Sequence, residues 1–132
     1  MGLFVQRGFI LLLYISGKYT RGDIGENIKA ARKVAVRLWE QGYCVLCPHQ
    51  NTAHFEVDCN ASYAQYLRGD LLLVERCDAI VMLPFWEESD GAKLELAHAD
   101  AKGIPAYYWG IDELPLPTEM PELPNVSTAH AK

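Results

Sequence analysis

The sequence has no apolar run long enough to cross a bilayer. Its longest, Phe9 to Ile15, is seven residues, against roughly 20 for a membrane-spanning helix. Behind Arg7 that run could pass for a weak signal peptide, but it lacks a small-x-small cleavage site, and a buried first strand explains it better. Gln6 stands where a myristoylation signal wants Ser or Thr. No membrane partner is expected, and the expected location is cytoplasmic. Basic residues are also scarce: 12 Lys and Arg against 17 Asp and Glu give a net charge of −5. Nucleic acid is therefore not expected as the partner, because a polyanion needs a positive patch. Cys44 and Cys47 form a CxxC with no second copy. They fall in a segment that reads as a strand, where side chains three apart face opposite ways, so no metal is expected. The turn from Ser16 to Gly22 is not a Walker loop, since the glycine pattern before Lys18 is missing.

What is present is one domain's worth of alternating elements in 132 residues, half of them apolar. The continuous apolar segment Phe9–Ile15 predicts a strand buried on both faces of a parallel sheet. A helix with the stripe Ile28, Ala31, Ala35 and Leu38 follows and ends at Gly42. Then come a strand over 43–47, a polar loop over 48–60 and a helix over about 61–76. A strand over 78–83, a helix over 90–102 and a strand over 105–109 complete the series. Strand and helix in alternation predict a three-layer α/β domain, flavodoxin-like or Rossmann-like, with a four- to five-stranded parallel sheet ordered 2-1-3-4. The domain is expected to span residues 1–110. Residues 111–132 form an acidic tail in which Pro115, Pro117, Pro121 and Pro124 oppose regular structure.

In such sheets ligands bind beyond the carboxyl ends of the strands, and two carboxylates point to that place. Asp70 shares a helical stripe with Tyr63, Tyr66, Leu67, Leu71 and Val74. Glu95 is the one charged member of the stripe Ala92, Leu96, Ala99 and Gly103. Burying a carboxylate is costly unless it is paired or needed. Ser89 is a natural N-cap for the helix behind it, and with Gly91 it offers an anion site at the helix N-terminus. Lys18 and Arg21, on the turn after the first strand, could add charge for a phosphate. His49 and His54 could face a ligand from the second loop or be solvated. Tyr19 and Trp86, at strand ends, could stack on a base or simply pack.

Taken in order, several segments resemble the nucleoside 2-deoxyribosyltransferase superfamily. They are Tyr14-Ile15-Ser16-Gly17, then Asp70, then Cys77-Asp78-Ala79-Ile80-Val81, then Trp86 through Ala92, and last Glu95-Leu96 with Ala99. The resemblance implies a flavodoxin-like fold, Glu95 as a nucleophile and Asp70 as its acidic partner. It implies a substrate site that includes Tyr14, Gly17, Tyr19, Arg21, His49, Trp86, Ser89 and Gly91. It also implies a deoxynucleoside or its 5'-monophosphate as the small-molecule partner, no cofactor, and a homo-oligomer. Ser89 stands six before Glu95, where nucleoside 5'-monophosphate hydrolases resembling this chain carry Ser and the transferases Asp, so the monophosphate is the expected substrate. A binding module of the same fold without turnover is the competing expectation. A flavin-binding carrier is disfavoured, because no Ser- and Thr-rich phosphate loop follows the first strand.

Overall fold

A computed structural model describes residues 12–118 and 121–124. Its strands are β1 (Leu12–Ser16), β2 (Cys44–Leu46), β3 (Ala79–Met82) and β4 (Ala106–Tyr108). All pair in parallel in the order β2-β1-β3-β4, the expected sequence of strands. Residues 9–11 of the predicted first strand lie outside the described residues. The helices are α1 (Ile24–Glu40), α2 (Pro48–Asn51), α3 (Phe55–Asp58), α4 (Tyr63–Glu75) and α5 (Asp90–Ala101). Alternation along the strands divides the core in two. Leu13, Ile15, Ala79 and Val81 pack with Ala31, Val34, Ala35 and Leu38 of α1. Tyr14, Ile80 and Met82 pack with Val74 of α4 and with Ala92 and Ala99 of α5. Burying one side chain such as Leu38 or Ile80 stabilises the fold by roughly 1.5–3 kcal/mol, which is why both faces of these strands are apolar. Among the described residues no helix is long and apolar enough to cross a membrane.

The polar loop expected over 48–60 contains the two one-turn helices α2 and α3. Pro48 sits at the start of α2, where its fixed φ suits a helix and its missing N–H is not needed. The N–H groups of Gln50 and Asn51 close the turn on the Cys47 carbonyl at 2.9 and 3.0 Å. Cys47 packs in the α1-side core, whereas Cys44 lies on the face of the strand that carries Leu46 toward the α4–α5 side. The chain after β4 folds back over the α1 side. Leu114 packs on that core, and the Tyr43 hydroxyl donates to the Pro115 carbonyl. Gly42 ends α1 at φ +99, and a Cβ there would stand 3.3 Å from the Pro117 ring.

Candidate active site

Glu95 lies on the inner face of α5 and is 7% exposed. Two hydroxyls from β1 hold it: Tyr14 donates to Oε2 at 2.9 Å and Ser16 donates to Oε1 at 2.6 Å. Strand alternation makes this possible, because Tyr14 and Ser16 share one face of β1 and rise toward α5. Burial pushes the Glu95 carboxyl up to about 7. The Ser16 and Tyr14 hydroxyls pull it down, and the negative charge of Asp70 pushes it up. Asp70, half-buried on α4, is pushed up to about 6 by burial. The Tyr14 phenol is raised far above its ordinary value, first by burial and then by the Glu95 charge, so it remains a donor at any physiological pH.

Both carboxylates line one cavity of about 330 Å³ at the carboxyl end of the sheet. Gly17, Tyr19, His49, Ser89 and Gly91 are on the same wall, so most of the residues singled out from sequence meet there. Ser89 caps α5, its Oγ accepting from the Ala92 N–H at 3.1 Å. His49 is 4% exposed, and its Nε2 meets the Lys18 carbonyl at 2.8 Å. A carbonyl can only accept, so Nε2 carries the proton and Nδ1 is a bare acceptor. That Nδ1 is buried and has no partner among the described residues. Burial holds the His49 imidazole below its ordinary pKa, in keeping with a neutral ring. The Tyr19 ring stands edge-on to His49, with centroids 5.7 Å apart. Its hydroxyl accepts from the His54 N–H at 2.9 Å and donates to Glu56 at 3.2 Å.

Five residues singled out from sequence lie elsewhere, and one of them, His54, is exposed beside Glu56. Tyr14 is fully buried beneath Glu95 and is not on the cavity wall; it reaches the site through the carboxylate. Trp86 packs on the α4–α5 side of the core, 5.9 Å from the Tyr108 ring. Lys18 pairs with Glu88 at 3.2 Å and lies over the Phe85 ring. Arg21 is exposed, and neither cation is on the cavity wall. Sequence reasoning passes over Asn27, which is 8% exposed. Its Nδ2 donates to the Tyr19 and Arg21 carbonyls at 2.7 Å each and so holds the turn that carries Tyr19. Its four-residue spacing from Ala31 is the available signal. Thr52 and Glu56, also missed, enter through the short helices of the second loop.

Gly17 has a steric role. A Cβ there would fall 2.9 Å from both Cβ and Cδ1 of Leu83, a residue buried in the α1-side core. Gly17→Ala should therefore cost about 1–3 kcal/mol through displacement of a packed side chain, read as a lower midpoint in urea unfolding. An unchanged midpoint would contradict the contact.

A parallel sheet with helices on both faces, and a cavity where β1 borders β2 on one side and β3 on the other, defines a doubly wound α/β protein with its pocket at the topological switch point. The chain belongs to the family described as "Domain of unknown function (DUF4406)", whose model matches residues 11–108. No curated protein matches it significantly. Among solved structures it is similar to a 2-deoxyribosyltransferase from the psychrotolerant bacterium Bacillus psychrosaccharolyticus. The two are 19% identical over 74% of this chain and 70% of that one, with a TM-score of 0.54. That likeness shows the fold.

Proposed function

We propose that this protein cleaves the N-glycosidic bond of 2-deoxynucleosides, with Glu95 as nucleophile and Asp70 as its acid–base partner. The observation that carries the reading is the setting of Glu95, a buried carboxylate gripped by two hydroxyls and facing a cavity it shares with a second carboxyl of raised pKa. A carboxylate so held can form a bond to C1' as the bond from C1' to the base nitrogen breaks through an oxocarbenium-like state. The electrons of the broken bond go to the base. The reactive form of the pair is the one with Glu95 ionised and the proton on Asp70, which passes it to the base to make a neutral leaving group. Asp70 then takes a proton from water, or from a second base, as that nucleophile attacks C1' and frees Glu95. The fold shared with a 2-deoxyribosyltransferase supports this choice of bond.

The charge of the cavity bears on the 5'-phosphate expected from Ser89. Among the described residues Glu56, Asp70 and Glu95 line the wall, and no Lys or Arg does. A phosphate would meet carboxylates there, so the free nucleoside is the proposed substrate. The test is incubation of the protein with deoxynucleosides and their 5'-monophosphates, with free base measured by chromatography. Base should be released, with kcat/KM at least about tenfold higher for the nucleoside than for its monophosphate. Saturable binding with no base released would replace the enzyme by a binding module.

A further inference from the structure

Among the described residues every formally charged side chain on the cavity wall is a carboxyl group. Glu56, Asp70 and Glu95 supply negative charge, and Tyr19, Tyr63 and Tyr66 supply aromatic rings. His49 is also on this wall, with its buried Nδ1 without a partner among the described residues. Lys18, the cation nearest in sequence, is drawn off to Glu88, while His54 lies 3.8 Å from Glu56. Among the described residues the positive ends of three helices also reach the wall, at Ile24 of α1, Tyr63 of α4 and Gly91 of α5. A helix dipole is worth about half a unit charge, and each of these ends is already capped by a side chain: Asp23 on the Glu26 N–H, Ser62 on the Gln65 N–H and Ser89 on the Ala92 N–H, with Asp90 adding a negative charge in the first turn of α5. The carboxyl groups of the wall outweigh these capped ends.

From this we infer that the cavity takes N-glycosides whose base bears a permanent positive charge, such as pyridinium or N7-alkylated purine nucleosides, in preference to neutral ones of the same shape. The inference rests on the N-glycosidase reading for its choice of ligand and goes beyond it in naming the charge of the base. Asp70 and Glu95, more shielded from water than the exposed Glu56, attract a cation more strongly than they would in water, and tyrosine rings add cation–π attraction. The chemistry gains as well. When C1' passes from the base nitrogen to the Glu95 oxygen, the bond electrons return to the cationic ring, which leaves as a neutral molecule. No proton is needed from Asp70 at that step.

The experiment uses the full chain near neutral pH and two ligands of one shape, 2-deoxyribosyl nicotinamide (a pyridinium) and its benzamide C-glycoside (neutral and uncleavable). Calorimetry reads binding, and chromatography reads release of nicotinamide and of neutral bases from ordinary deoxynucleosides. The pyridinium should bind with a Kd at least about tenfold lower than the C-glycoside. Glu56→Gln and Asp70→Asn, checked for folding by circular dichroism, should each reduce that ratio at least about threefold. Equal affinities, tighter binding of the neutral ligand, no saturable binding of the pyridinium, or a ratio unmoved by both substitutions would each overturn the inference. The two readings fail separately. Base release from neutral nucleosides with no preference for charge removes this inference alone, and a strong preference without release of any base removes the catalytic reading alone.

Discussion

Glu95→Ala should lower base release from 2-deoxynucleosides at least about a thousandfold, because it deletes the atom that bonds to C1'. The space vacated by the carboxylate is lined in part by the Tyr14 and Ser16 hydroxyls, which lose their acceptor, so some stability is lost too. Circular dichroism and the unfolding midpoint separate that cost from the chemistry. A small anion such as formate, supplied at high concentration, should restore part of the rate by entering the vacated space as an external nucleophile. A folded Glu95→Ala protein with undiminished turnover would remove Glu95 from the reaction.

The other large effect is on stability as a function of pH. A carboxyl whose folded pKa lies above its unfolded value binds its proton more tightly in the folded state. Its favourable contribution is complete below the unfolded value and is lost as pH rises through the folded one. For Glu95 that window runs from 4.5 to about 7, and for Asp70 from 3.8 to about 6. Glu95→Gln is neutral throughout and escapes the loss. Relative to wild type it should therefore gain stability between pH 4.5 and 7, by on the order of 3 kcal/mol across the window. Urea unfolding at pH 4.5 and pH 8 measures it. A stability difference between the two proteins that is the same at both pH values would show that Glu95 titrates normally.

The elements that sequence reveals best are those whose burial is periodic. Tyr14, Ile80 and Val74 sit in repeating apolar patterns, and the strand order follows from alternation and handedness. Glu95 and Asp70 stand out by the same rule in reverse, each a charge inside an apolar stripe, and both reach one cavity. The one-turn helices α2 and α3 are too short for any period to register, so Thr52 and Glu56 carry no signal. Lys18 reads as a phosphate ligand from sequence because its partner Glu88 lies 70 residues away along the chain. Trp86 follows Phe85, which adopts the left-handed conformation at φ +68. In that turn Phe85 is left 62% exposed, while Trp86 packs on the core. Pairing across the fold and backbone turns of this kind are tertiary facts, invisible to local pattern.

The central claim is that Glu95 bonds to the sugar, and a trapped intermediate tests it most directly. A 2-fluoro-arabinosyl nucleoside slows both steps, because fluorine at C2' destabilises the oxocarbenium-like state, so the glycosyl-enzyme should accumulate. Intact-mass spectrometry should then show one fluorosugar added per chain, and peptide mapping should place it on Glu95. Base released without any adduct, or an adduct on another residue, would contradict the account.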